Sequence, residues 1–391
     1  MATAGDRIRV AVVHGPGRPD EDGVSDYVAR LLRALDDVGV TALPVPLQPM
    51  TNRWVAATAR GAHQVRRLRP DLVHVQFAPS AYRFSAAPGL LPLLLPRRLP
   101  LVTTLHEYGG WAGPLPAAVW RVVQRTGAWD RETGRLVPAS DALIVSNPEH
   151  AEAISARTGR TALQVPLAPN VDDHGGAEAA RQRWRHRLGL GPDAELLVFF
   201  GFVHPVKGVR YLLEALGRLR RLRGDVGLLV VGGFTSQALP EPEARAFRQE
   251  LAEISRRWGV AEAVAFTGHL PAPAASAAVH AADVVVLPFT AGVTTKSGAL
   301  LTALTHGRPT AVTVPDQPDP SLRPDQTVAV IAARRDPEAI ADTVQRLLDD
   351  ASLRRRVAEG GRELAARHSW PVVADAHRRI YERLWGVGSG G

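Results

Sequence analysis

The stretch LLVFFGFVHPVKG, residues 196–208, decides the fold. Leu196 to Phe200 are uninterrupted apolar residues and read as a strand buried on both faces. Gly201 ends the run, and Lys207-Gly208 stands just before an amphipathic helix expected over Val209–Arg223. Strand, glycine turn and helix in that order make the opening of a parallel α/β sheet. The same junction puts an ammonium beside helix-start amide donors, which suits a diphosphate. The plainer alternative is a surface lysine at a helix start.

Outward from this element, short β-rich runs alternate with helical segments along the whole chain. After it, strands are expected at Gly227–Val231, Val264–Thr267, Val284–Leu287, Thr310–Val312 and Thr327–Ile331, with helices at Glu241–Trp258, Ser297–Thr305 and Asp336–Leu348. Before it, strands are expected at Ile8–Val13, Leu72–Gln76, Leu101–Leu105 and Ala142–Val145. The helices expected there are Ser25–Val38, capped by Ser25, Asn52–Arg67 and Pro148–Thr158. The segment Ala168–Ala180 breaks the alternation with Pro, Asn and Gly and reads as a linker. Two successive doubly wound units follow, expected over residues 1–172 and 173–368. Facing sheets of this kind place a shared site in the cleft at their strand ends. Ser369-Trp370-Pro371 then starts a last helix, Val372–Trp385, and a mobile GVGSGG tail closes the chain.

Composition narrows the classes. At 391 residues the chain exceeds one ordinary core, and 45% apolar with 22% charged residues is a globular balance. No run of 18 apolar residues suggests a membrane span, and the N-terminus lacks a cleavable signal pattern, so a cytoplasmic location is the default. The absence of cysteine excludes disulfides and thiolate chemistry. A net charge of +8 invites nucleic acid or membrane as partner. The arginines look dispersed over many amphipathic helices and aromatic residues are few, which argues against nucleic acid. The run Gly89–Leu101, GLLPLLLPRRLPL, reads as a buried helix plus strand, with membrane-surface docking the lesser reading. Of 47 basic residues only Lys207 and Lys296 are lysine. Both fall in loops that are candidates for phosphate binding.

Other segments carry chemistry more weakly. The first strand ends in His14-Gly15-Pro16-Gly17-Arg18-Pro19-Asp20, and Gly23-Val24-Ser25 opens the first helix, where glycine lets an anion approach the backbone. Asp20 stands where a third glycine would complete a dinucleotide fingerprint. His106, followed by Glu107, Gly109 and Gly110, closes a strand in a glycine-rich loop and is the best catalytic side chain. Tyr108 and Trp111 are either a wall for a sugar ring or ordinary packing.

The element Gly201-x-x-x-x-x-Lys207-Gly208 resembles the phosphate loop of retaining GT-B glycosyltransferases, the family that includes glycogen and sucrose synthases and bacterial mannosyltransferases. Gly23-Val24, Leu105-His106-Glu107, Ala139-Ser140-Asp141 through Ser146 and Ala168-Pro169-Asn170-Val171-Asp172 match further family segments in order. So do Val231-Gly232-Gly233, Phe266-Thr267-Gly268 and Ala281-Ala282-Asp283-Val284. The likeness spans about residues 8 to 385. It departs at Phe202, where relatives carry arginine, and at Thr294 and Thr302, where they carry paired glutamates. Gly292-Val293-Thr294-Thr295-Lys296-Ser297-Gly298 is similar to a variant branch with Ser and basic residues there.

The resemblance implies a GT-B fold, two Rossmann-like domains across a cleft with the C-terminal helix returning to the first. It implies a retaining transferase that moves a hexosyl unit from a UDP- or GDP-sugar to a small-molecule or glycan acceptor, with no metal and no further cofactor. It makes His106, Lys207 and Lys296 catalytic. Gly23, Gly201, Gly208, Gly268, Leu270, Thr294, Thr295, Ser297, Gly298 and Thr302 hold the donor. A sugar-nucleotide 2-epimerase and an inactive nucleotide-sugar-binding homologue are the competing readings.

Overall fold

The computed structural model describes residues 7–17, 23–111, 127–234 and 241–388. Arg18–Asp20 of the first glycine turn lie outside them. The chain forms two compact units: Met1–Pro166 with Trp370–Gly391, and Leu167–Ser369. The break falls at Pro166, ahead of the expected residue 172. Val171 already belongs to the second unit, because its N–H donates to Thr302 Oγ1 at 3.2 Å and its side chain enters that unit's core.

In the first unit, six parallel strands run in the order β2-β1-β3-β4-β5-β6. They are β1 Arg9–His14, β2 Thr41–Pro46, β3 Leu72–Phe77, β4 Leu101–Leu105, β5 Ala142–Val145 and β6 Leu163–Gln164. The four anticipated strands are the inner ones, β1, β3, β4 and β5. The two unanticipated ones are the edges. β2 carries Pro44 and Pro46, tolerated where a missing N–H costs no ladder bond, and β6 is two exposed residues long. The first helix runs Gly23–Asp37, so Ser25 sits buried inside its first turn rather than capping it.

The last helix, Trp370–Gly388, packs against the first one and takes in the start of the tail expected to be mobile. The Trp370 ring meets that of Tyr27 at a tilt, 5.3 Å between centroids. Tyr381, fully buried, brings its hydroxyl to 2.6 Å from His74 Nδ1. Thr104 Oγ1 lies 2.7 Å from the other ring nitrogen of His74. His377 Nδ1 donates to the Val373 carbonyl at 2.8 Å. Polar residues on the inner strand β3 thus bind the end of the chain to the sheet at its start.

In the second unit the order is β12-β11-β10-β7-β8-β9, again all parallel. The strands are β7 Glu195–Phe200, β8 Val226–Val231, β9 Val264–Gly268, β10 Val284–Leu287, β11 Thr310–Thr313 and β12 Ala329–Ile331. Every strand here lies where an apolar run stands. Three helices were not expected from the sequence: Ala177–Arg187, Ala272–His280 and Ala351–Ala366. The first occupies part of the supposed linker. Five of its eleven residues are charged; Ala180 and Trp184 seat it in the core, and Arg185 ties it down, its guanidinium donating to Asp283 Oδ2 at 2.6 Å and to the Ala194 carbonyl at 2.7 Å.

Burial holds His74 well below the ordinary histidine range, helped by the neighbouring His377 and His106. It pushes His106 and His377 down to about 4. The unfolded chain takes up these protons near pH 6.5 while the folded chain refuses them until about pH 4. Stability from these groups is therefore complete above pH 6.5 and erodes as pH falls from there toward 4, by up to about 1.4 kcal/mol per histidine per pH unit. A thermal melt series across that interval should show it. Tyr381→Phe, which removes the shorter of the two contacts to His74 Nδ1 and leaves Gln76 Nε2 at 3.3 Å, should cost about 1–3 kcal/mol in chemical denaturation.

Candidate functional site

The direction of strand addition reverses between β7 and β10: β8 and β9 extend the sheet on one side of β7, β10 to β12 on the other. In open α/β sheets this switch point is where ligands sit, beyond the strands' carboxyl ends. The loops leaving β7 and β10 are in direct contact there. Thr290 donates its N–H to the Val206 carbonyl at 2.9 Å. Gly208, at φ 73°, lies so close to Pro288 that a Cβ would stand 2.0 Å from its carbonyl oxygen. Gly201 is in ordinary contact with the far side of the second loop, its absent Cβ 3.5 Å from that of Ala299.

Lys207 ends the 3-10 turn Pro205–Lys207, with its Nζ 3.8 Å from the Phe289 ring centroid. Among the described residues no carboxylate pairs with it. Burial alone pushes its amine down to about 8. An ammonium stripped of water and facing only a π-cloud has most to gain from an anion. Phe289, not an arginine at 202, is its neighbour.

The second loop is pinned from β11 and beyond. Thr313 Oγ1 donates to the Phe289 carbonyl at 2.6 Å, and Val293 N–H donates to the Thr313 carbonyl at 2.8 Å. Thr295 gives both its N–H and its hydroxyl to Asp319 Oδ2, at 2.9 and 2.6 Å. Burial opposes the charge on Asp319, yet bonds from Thr295 and Ser321 hold its carboxyl below the usual range. Sequence reading missed Asp319, because a lone aspartate among prolines carries no pattern. Lys296 N–H donates to Thr294 Oγ1 at 3.4 Å. Ser297 caps the helix Gly298–Thr305 by accepting the Leu300 N–H, and the Asn170 amide fills the space over Gly298.

Thr302 departs from its expected role. It is fully buried, and its hydroxyl donates to the Gly298 carbonyl at 2.8 Å while accepting from Val171. A hydroxyl so committed offers nothing to a ribose. The remaining residues assemble along the strand ends. Gly232 N–H donates to the Gly268 carbonyl at 3.1 Å, and a Cβ on Gly232 would meet the Gly201 carbonyl at 2.0 Å. Gly268 is thereby joined to the β7 loop through β8, whereas Leu270 beyond it packs partly into the core.

In the first unit, His106 follows β4. Its Nε2 donates to Gln76 Oε1 at 2.8 Å, and the Tyr27 ring meets it edge-on at 5.0 Å. It is a neutral imidazole at physiological pH. Glu107 Oε1 accepts from Ser80. Tyr108 is structural, since its buried hydroxyl donates to Asp130 at 2.8 Å. Glu132 accepts the Gly109 N–H at 2.9 Å and is held by Arg157 at 2.6 Å. That buried acid pair fixes the loop after His106 and left no sequence signal. Gly23 starts its helix facing open space.

One described trio, Asp173, His280 and His306, has ligand-type atoms within 4.8 Å of one another. His306 Nδ1 donates to the Thr302 carbonyl and its Nε2 accepts from the Ser276 hydroxyl, and His280 Nε2 meets Asp173 at 2.6 Å. These bonds make it a tie between the 173 segment and two helix ends.

Residues 1–170 match the family described as Glycosyltransferase Family 4, and residues 194–350 match Glycosyl transferases group 1. The chain is 30% identical over 391 residues to a phosphatidyl-myo-inositol mannosyltransferase of Mycobacterium leprae (strain TN), covering all of this chain and 91% of that one. It is 29% identical over 388 residues to a glycogen synthase of Mycobacterium tuberculosis (strain CDC 1551 / Oshkosh), with 93% and 82% covered. Among solved structures, Anabaena Alr3699/HepE in complex with UDP-glucose is similar in fold, with a TM-score of 0.68, 15% identity, and 96% and 100% covered.

A diphosphate should bind the ammonium form of Lys207. UDP affinity should therefore be level near pH 7 and fall as pH rises through about 8, approaching tenfold per unit. Lys207→Arg, which stays charged, should flatten that decline. Calorimetric titration from pH 7 to 9.5 reads both. An unchanged slope in the arginine variant would assign the titration to another group.

Proposed function

The chain belongs to the GT-B glycosyltransferases, and from that premise we propose that it moves a hexosyl unit from a UDP- or GDP-sugar to an acceptor hydroxyl with retention at the anomeric carbon. The observation that carries this reading is Lys207. Its desolvated ammonium has no described carboxylate partner and stands where the β7 and β10 loops meet. A departing nucleoside diphosphate supplies the missing counter-charge as the glycosidic C–O bond breaks. Lys296 and the amides at the start of the helix Gly298–Thr305 add positive potential from the second loop. With this much fixed cationic charge, the transfer runs without a divalent ion.

No side chain of the donor loops presents a nucleophile, so the acceptor oxygen attacks on the face from which the diphosphate leaves. The leaving phosphate oxygen takes the acceptor's proton as the new C–O bond forms. His106, kept neutral and oriented by Gln76, is suited to hydrogen-bond a sugar hydroxyl rather than to shuttle protons. The acceptor is a sugar or cyclitol hydroxyl, the class named for the glycogen synthase and inositol-lipid mannosyltransferase relatives.

A panel of UDP- and GDP-sugars in EDTA, with and without glycan and inositol acceptors, tests this. The product anomer is read by proton NMR. We expect α-product from an α-donor. In Lys207→Ala, turnover should fall at least about a hundredfold while the melting temperature shifts by only a few degrees. Full activity in Lys207→Ala, or an inverted product, would defeat the mechanism. An epimerised sugar formed without acceptor would point to the epimerase reading instead.

A further inference from the structure

A line of polar side chains lies buried on the first unit's sheet. Residues two apart on a strand share a face, which groups His74 with Gln76 on β3 and Thr104 on β4 with His106 just beyond it. Gln76 stands opposite Thr104 in the parallel register. His74, Gln76 and Thr104 are all buried. Polar groups in a core cost stability unless each is bonded, and a bonded network fixes geometry in return. This one ends at the carboxyl edge of the sheet, at His106.

The last helix closes its other end. The Tyr381 hydroxyl lies 2.6 Å from His74 Nδ1 and Thr104 Oγ1 2.7 Å from Nε2, so the ring is held at both nitrogens. Gln76 Nε2 lies 3.0 Å from one of those nitrogens and 3.3 Å from the other. A neutral imidazole carries a single ring hydrogen, so whichever nitrogen lacks it can accept from the amide. The Gln76 nitrogen therefore faces His74 and its oxygen faces His106. That oxygen can only accept, and it takes the Nε2–H of His106 at 2.8 Å. The one hydrogen of neutral His106 is thereby spent, and Nδ1 keeps a lone pair that meets no hydrogen-bond donor among the described residues. The same helix also steadies the ring from the side, through Trp370 on Tyr27 and Tyr27 edge-on to His106. The His106 backbone is fixed as well, its N–H donating to the Phe77 carbonyl at 2.9 Å.

We propose that Tyr381, His74 and Gln76 are positioning residues that make His106 a hydrogen-bond acceptor, its Nδ1 lone pair receiving the O–H of a sugar hydroxyl. This rests on the transferase reading, in which His106 is the residue suited to a sugar hydroxyl. The opposite tautomer would donate from Nδ1 and would serve an ether, a carbonyl or a hydroxyl equally. An acceptor nitrogen serves only a group that can donate, so a methoxy or fluoro substituent in the place of that hydroxyl leaves it unpaired. The direction of one hydrogen bond at the head of the sheet is thus set by a helix near the end of the chain.

Nitrogen-15 NMR of the full chain with labelled histidine rings tests the proposal on the ligand-free protein, the His106 signals being assigned by their loss in His106→Gln. The wild type is expected to show one neutral form, with the hydrogen on Nε2. Gln76→Leu and Tyr381→Phe should each give a mixture of both neutral forms. Tyr381→Phe is the milder change and carries the test where Gln76→Leu destabilises the sheet. Turnover of the UDP- or GDP-sugar accepted by the wild type should fall about tenfold in Gln76→Leu, the worth of one hydrogen bond, at an unchanged UDP-induced thermal shift. A purely structural role would lower the melting temperature of Tyr381→Phe and leave the His106 signals as in the wild type. That result overturns the proposal, as does a wild type with its hydrogen on Nδ1 or full turnover in Gln76→Leu. The transferase reading fails separately, through a wild type that shows the Nε2–H form but no thermal shift with UDP.

Discussion

A Cβ at position 208 would stand 2.0 Å from the Pro288 carbonyl oxygen, and the second unit's site rests on that approach. Gly208 lets the turn leaving β7 lie directly on the turn leaving β10, and the left-handed φ of 73° is a conformation glycine adopts at no steric cost. Because the two turns touch, Lys207 is brought over Phe289 and Thr290 bonds back to Val206. Any other residue at 208 would part the loops and return the ammonium to water, where its proton would no longer be loosely held.

The second loop is rigid for a different reason. Its backbone is too irregular for ladder bonds, so Thr313, Asp319 and Ser297 satisfy it from three directions. An amide-rich helix start is useful to an anion only if it is held in place before the anion arrives. Asp319 adds a negative charge near a cationic loop. It does so with three donated bonds from Thr295 and Ser321, which limits its opposition to the lysines while anchoring their scaffold.

Much of this was readable from sequence, and the division follows burial. Inner strands such as β3, β7 and β10 are continuous apolar runs, because both faces are covered. The edge strands β2 and β6 carry prolines or exposed residues and read as loop. The helix Ala177–Arg187 is held by Arg185 bonded to Asp283, and an arginine in a core position has no hydrophobic signature. At the site, Gly201, Lys207 and Gly208 were legible as strand–turn–helix punctuation. Asp319 and Glu132 were not, since each acts on a backbone amide distant in sequence. Thr302 shows the opposite error. Its place in a motif suggested a ligand contact, yet its hydroxyl is spent on Val171 and Gly298.

The bond between His74 and Tyr381 joins residues 307 positions apart. A ribosome releases the first sheet long before it makes the helix that completes it. During that interval the face that will receive Trp370 and Tyr381 is uncovered, with His74 awaiting its hydroxyl. The second unit, continuous from Leu167 to Ser369, has its whole sequence available sooner than the first does. Assembly order is therefore inverted relative to chain order: the unit whose strands are made earlier cannot finish until the helix Trp370–Gly388 has been made.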